Sequence, residues 1–167
     1  PKMILGTGID LAEVDRIRHS IERYGERFVK RIYTPGEIEY VERKANKFER
    51  YAARFAAKEA GMKAIGTGWR RGVTWQDFEV ANLPSGRPTL RLHGVAAEVA
   101  ARMGVKRIAL SLTHTTQNGM AFVILEGDDG AAAIGLDIAA QCRHFERVTG
   151  GHNRDRAVID TGRMGVH

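Results

Sequence analysis

Two acidic residues occupy positions where a carboxylate needs a cation. Glu59 lies in residues 55–68, FAAKEAGMKAIGTG, and Phe48, Ala52, Phe55, Glu59 and Met62 recur at spacings of three and four. That spacing sets them on one stripe of a 3.6-residue helix. A carboxylate on an apolar stripe is costly to bury unless it is paired with a cation or ligates a metal. Lys63 follows one turn on; Glu and Lys four apart also form an ordinary surface pair. Asp10 ends a strand-like run, residues 3–10, with Met3, Leu5, Thr7 and Ile9 on one face and Ile4, Gly6, Gly8 and Asp10 on the other. The two glycines leave bare backbone beside the carboxylate, which suits close approach of another backbone or a ligand. An aspartate before an apolar-periodic run is equally a good helix N-cap, and both readings stand. A third polar group is Ser111 and Thr113 on one face of a strand ending in His114. This face either lines a site or meets water.

The elements that must position these residues follow from periodicity. Leu11, Val14, Ile17, Ile21 and Tyr24 predict a helix that stops at Gly25. Arg16 and Arg23 share its outward side, and Arg27 joins them if the helix continues; this stripe is either a solvated face or a basic docking surface. Thr34, Pro35 and Glu37 form a capping-box start for a short helix to about Arg43, which leads into the helix carrying Glu59. A basic loop follows at residues 69–72. Strand-like runs at 73–75 and 78–81, a turn at 83–88 and a strand at 89–92 come next. Val95, Ala96, Val99 and Met103 trace a helix ended by Gly104, and strands at 107–113 and 120–125 flank a polar turn. This order predicts an α+β fold with antiparallel pairing.

Composition narrows the function classes. The chain has 167 residues, 43% of them hydrophobic, enough for one core. A single cysteine, Cys142, excludes an intrachain disulfide and a cysteine-based zinc cluster, and the simplest expectation is a reducing, cytoplasmic setting. No apolar run reaches a membrane span and the first residues lack a cleavable signal's layout, so a soluble protein without membrane association is expected. Residues 1–125 carry 21 Lys and Arg against 13 Asp and Glu, a basic body that suits an anionic partner.

The blocks GTGIDLAEVDRI, RFAAKEAGMKAIGTG, PSGRPTLRLHGVA and SLTHT, in this order across residues 3–126, carry a resemblance. Together they resemble the 4′-phosphopantetheinyl transferase family in its small bacterial, holo-acyl-carrier-protein synthase type. The resemblance implies that family's fold, an antiparallel sheet with packed helices and one long central helix. It implies Mg²⁺ held by Asp10 and Glu59, coenzyme A as co-substrate and apo acyl carrier protein as partner. The reaction is transfer of 4′-phosphopantetheine to a serine hydroxyl, in fatty acid biosynthesis, with release of adenosine 3′,5′-bisphosphate. Glu59 and Lys63 take the catalytic roles. Arg54, Lys58, Gly66 and Gly68 match positions near the coenzyme; Ser111, Thr113 and His114 match the block that completes its site from a neighbouring subunit of a homotrimer. Arg16 and Arg27 match carrier-protein contacts. The transferase domain is expected to span residues 1–126, with 127–167 an extension beyond the family pattern.

Two other classes compete. A non-catalytic basic module for carrier protein or nucleic acid is disfavoured, because the few aromatics are not interleaved with basic residues, and no nucleic acid is expected. Another Mg²⁺-dependent nucleotide enzyme lacks support from any P-loop or dinucleotide glycine pattern.

Overall fold

A computed structural model describes residues 2–68 and 72–128. Most of the basic loop read at 69–72, and the extension from residue 129 with Cys142, lie outside the described residues. The chain opens with strand β1 (Lys2–Glu13), followed by helices α1 (Val14–Tyr24), α2 (Glu26–Ile32), α3 (Pro35–Glu42) and the long α4 (Lys47–Ala64). Strands β2 (Phe78–Asn82) and β3 (Pro88–Leu92) form a hairpin, helix α5 (Gly94–Arg102) follows, and β4 (Arg107–His114) and β5 (Asn118–Asp128) close the fold. An antiparallel sheet of order β1-β5-β4 packs against α4, so the architecture is α+β with one long central helix. Among the described residues no helix is long and apolar enough to cross a membrane.

The opening strand runs further than its composition suggests. Pairing with β5 continues through Asp10↔Ala121 and Leu11↔Met120 to Glu13↔Asn118. Asp10 is therefore a mid-strand residue, not a helix cap, and Leu11 belongs to the strand, where it is exposed. The ladder satisfies the backbone here, so it overrides the helical period of the side chains. The helix begins at Val14, buries Val14 and Ile17, and stops at Gly25, whose φ of 56° is a left-handed position natural to glycine. A second helix, α2, restarts at once with Val29 and Ile32 buried, which places Arg27 on a different helix from Arg16. Residues 73–75 do not form a strand. Trp75–Asp77 makes one 3₁₀ turn, and the Trp75 ring packs 4.7 Å from that of Phe55.

Helix α4 is buried on most sides, and its two flanks meet different partners. At about 100° per residue, Lys58 and Ala60 point to nearly opposite sides, with Glu59 and Lys63 between them. On the Ala60 side the sheet arrives without side chains: a Cβ on Gly8 would strike the Ala60 carbonyl and one on Gly6 the Ala64 carbonyl. On the other side Lys58 Nζ donates to Glu37 Oε2 at 2.7 Å and to the carbonyls of Trp75 and Phe78. Glu37 also closes the predicted capping box, accepting from Thr34 N at 2.8 Å, and takes the Val80 amide at 3.0 Å. One fully buried ion pair thus joins α3, α4 and β2. Replacing Lys58 with Met leaves a buried, uncompensated carboxylate and should cost about 3–5 kcal/mol of unfolding free energy in urea titration. A loss below about 1 kcal/mol would mean that the pair contributes no more than a surface bridge.

Candidate active site

The site begins where β1 crosses α4. Because Gly6 and Gly8 bring the strand backbone against the helix, the next residue on that face, Asp10, reaches the α4 side chains. Lys63 Nζ donates to Asp10 Oδ1 at 2.9 Å and to the Ile9 carbonyl at 2.9 Å. Glu59, one turn before Lys63, is only 7% exposed. Burial raises the Asp10 pKa above its usual 3.8, although the Lys63 bond and charge and the more distant Arg16 charge pull it down. One ammonium does not offset the dehydration of this carboxylate.

A second part of the site is a hollow of about 210 Å³ lined by Tyr40, Arg50, Ala53, Arg54, Asn82, Gly86, Pro88, Leu112 and His114. Arg54 is 4% exposed; its guanidinium lies 4.5 Å from the Tyr40 ring centroid and Nη2 donates to Asn82 Oδ1 at 3.5 Å. Its Nε has no hydrogen-bond partner among the described residues. Burial, the largest influence, lowers the Arg54 pKa. A guanidinium nevertheless stays charged, so an under-satisfied cation faces a polar hollow, an arrangement suited to a phosphate or carboxylate. At the rim Arg50 Nε donates to Asn46 Oδ1 at 2.8 Å, and Asn46 Nδ2 lies 3.2 Å from His114 Nε2.

The residues singled out in the sequence therefore separate into groups. Asp10 and Lys63 meet at the strand–helix crossing, with Glu59 buried one turn before Lys63 on α4, while Arg54 and His114 share the hollow. Lys58 does not belong with them. Its ammonium is wholly buried and engaged by Glu37 and two carbonyls, so it supports the fold and is not presented to a coenzyme phosphate. Burial lowers its pKa, and the Glu37 charge opposes that shift. His114 does not share a face with Ser111 and Thr113. Strand alternation turns Leu112 and His114 toward the hollow, whereas Ser111 and Thr113 are exposed opposite Phe122 and Met120. Gly66 and Gly68 take φ of 71° and 52°, in the loop that leaves α4. Between them Thr67 holds a buried hydroxyl with no hydrogen-bond partner among the described residues. Arg16 and Arg27 are exposed on α1 and α2. Arg50 and Asn46 went unnoticed in the sequence, although Asn46, Arg50 and Arg54 recur at helical spacing of four.

The model of the 4′-phosphopantetheinyl transferase superfamily matches residues 6–123. The chain belongs to this superfamily. It is 80% identical over 124 residues to the holo-[acyl-carrier-protein] synthase of Solibacter usitatus, covering 74% of this chain and 99% of that protein. The crystal structure of the Neisseria meningitidis holo-[acyl-carrier-protein] synthase superposes with a TM-score of 0.68 at 31% identity, covering 74% of this chain and 98% of that one. A Bacillus anthracis holo-(acyl-carrier-protein) synthase, solved in complex with CoA (3′,5′-ADP), gives a TM-score of 0.62 at 34% identity over 75% and 99% of the two chains. The transferase described here is thus an enzyme of the same fold.

Among the described residues of the transferase, no three His, Cys, Asp or Glu side chains gather into a closed metal cage. Two carboxylates fit a hard divalent ion that keeps several waters and completes its shell with substrate oxygens. A cation already sits against Asp10 in the form of the Lys63 ammonium, so the position accepts positive charge. The Asp10 titration can be followed directly. With its folded pKa above 3.8, Asp10 contributes stability that is fully present below that value and lost as pH rises through the folded value. Asp10→Asn does not titrate, so its urea midpoint relative to the parent protein should rise from acid toward neutral pH. A difference that is flat, or that falls with pH, would remove burial as the dominant influence on this group.

Proposed function

We propose that this transferase moves 4′-phosphopantetheine from coenzyme A to a serine of apo acyl carrier protein and releases adenosine 3′,5′-bisphosphate, in fatty acid biosynthesis in the cytoplasm. Residues 1–126 carry this activity. The observation that supports the reading best is the Lys63–Asp10 pair at the β1–α4 crossing, with the buried Glu59 one turn before Lys63 on the same helix. Asp10 and Glu59 are the residues that would hold Mg²⁺. When bound, the ion supplies charge neutralisation for a diphosphate.

The chain's own residues supply the rest. Lys63 places an ammonium where negative charge grows on the phosphoryl oxygens and the leaving phosphate. Arg54, with its unsatisfied Nε, offers the hollow a fixed cation for the nucleotide end of the coenzyme. Glu59 accepts the proton of the carrier serine as that oxygen attacks the pantetheine-side phosphorus and the bond to the nucleotide phosphate breaks. Arg16 and Arg27, exposed on neighbouring helices, face the acidic carrier protein. The transferase works as a homotrimer with sites between subunits. The outer sheet face supports this, because Ile9 and Leu11 are 55% and 56% exposed and pair across the ladder with the exposed Phe122 and Met120. On the same face Ser111 and Thr113 are available to a neighbouring subunit.

Incubation with coenzyme A, Mg²⁺ and an apo carrier protein should add the mass of one phosphopantetheine arm to the carrier. Glu59→Gln should reduce that rate by at least about 10²-fold with the fold retained. Carrier retention without any mass gain from the parent enzyme would instead leave a binding module. Raising salt should weaken carrier binding more than coenzyme binding, since exposed charge pairs are screened within roughly 8–10 Å. Equal salt sensitivity of the two affinities would remove Arg16 and Arg27 from the docking surface.

A further inference from the structure

Asn46 stands at the N-cap position of α4, yet its side chain makes no bond to the helix's own amides. An asparagine there ordinarily accepts from an amide of the first turn. Here the side chain is turned to other partners: Oδ1 accepts from Arg50 Nε at 2.8 Å, and Nδ2 lies 3.2 Å from Nε2 of His114, 68 residues away on β4. We infer that Asn46, oriented by Arg50, is a positioning residue that fixes His114 as its Nδ1–H tautomer, so that Nδ1–H is the ring donor the hollow offers to a bound coenzyme. The destination of that donor rests on the reading of the hollow as the nucleotide end of the coenzyme site; the tautomer does not.

The assignment follows from which groups can donate. Arg50 Nε–H is a donor with no acceptor capacity, so the Asn46 atom that faces it is the amide oxygen. The amide nitrogen turned to His114 carries two hydrogens and no lone pair to offer, and the ring nitrogen it meets is therefore the acceptor. In a neutral imidazole one nitrogen accepts and the other carries the proton, which puts the proton on Nδ1. Both partners of Asn46 are themselves held. Arg50 donates a second time, from Nη1 to Tyr40 Oη at 3.4 Å. His114 pairs with Gly119, whose lack of a side chain seats the end of the sheet on the α4 backbone at Ala52 and Ala53. His114 lines the hollow and Asn46 is not part of its wall, so Asn46 occupies Nε2 and leaves Nδ1 for a ligand. The nucleotide end of a coenzyme presents phosphate oxygens and ring nitrogens, which accept, and a ring held with its proton on Nδ1 meets them as a donor.

Nitrogen-15 NMR of the full chain with labelled histidine, recorded at about pH 8, above the usual histidine range, reads which ring nitrogen carries the proton. His114→Gln assigns the signal by its loss. In the parent, His114 should show a protonated Nδ1 and a bare Nε2, the reverse of the form that histidine favours free in water. Asn46→Asp keeps an acceptor for Arg50 and sets a second one against the ring, so the proton should move to Nε2. Arg50→Met releases the amide to turn over, and the two forms should mix. A parent ring with its proton on Nε2, or one whose proton stays in place in both Asn46→Asp and Arg50→Met, overturns the positioning role. Coenzyme A binding by calorimetry then tests the hollow. Glutamine carries its amide to the Nε2 position and asparagine ends at the Nδ1 position, so His114→Gln should weaken binding about three- to tenfold more than His114→Asn. Equal loss in the two variants, with the tautomer as assigned, removes the hollow from the coenzyme site and leaves the positioning of His114 by Asn46 standing.

Discussion

The contact on which the rest of the structure depends is the meeting of the β1 backbone with the α4 backbone at Gly6 and Gly8. Most strands rest on a helix through interdigitating side chains, which hold the two axes about 10 Å apart. Here the strand has no side chains at those two positions and the helix has only alanines, Ala60 and Ala64, so the backbones touch. The closeness lets a short aspartate reach Lys63 on the helix. Any longer residue at Gly8 would lift the strand and separate the two halves of the site. Gly119, at the start of β5, meets the α4 backbone at Ala52 and Ala53 in the same way, so the sheet is pinned to the helix at both ends of that face.

A close contact fixes distance but not rotation. The buried pair of Lys58 with Glu37 supplies the second constraint, gripping α4 from the side opposite Ala60. Such a pair is a weak source of net stability, because dehydrating two charges costs about as much as their attraction returns. Its effect is geometric. Glu37 serves the α3 cap, the Val80 amide and Lys58 together, so a change in the angle of α4 would strand several buried polar groups at once. Glu59, the next residue after Lys58, inherits its direction from that grip. Lys58 and Lys63 thus do different work: Lys58 orients and Lys63 meets the site.

The distribution of burial fits the same division. The inner sheet face is sealed by Ala121, Val123 and Leu125 against the helix. The outer face keeps Ile9, Leu11, Met120 and Phe122 uncovered. An apolar patch of this kind on a strand pair suits association between copies of the chain. The hollow around Arg54 opens beside the turn of the β2–β3 hairpin, where Asn82, Gly86 and Pro88 contribute its wall.

The sequence by itself determined the elements whose signals are local. The capping box at Thr34 and Glu37, the glycine stop at Gly25, the period of α4 and the closing pair of strands need only neighbouring residues to be recognised. It also marked Glu59, because a carboxylate on an apolar stripe is anomalous in any fold. Tertiary structure decided what depends on partners distant in the chain. The ladder to β5 made Asp10 and Leu11 strand residues against their helical period. Glu37, 21 residues away, claimed Lys58, while Asp10, 53 residues away, claimed Lys63, although both lysines read alike in sequence. Strand alternation divided His114 from Ser111 and Thr113. In each case periodicity gives the face on which a side chain emerges, and only the packing of remote segments decides what that face meets.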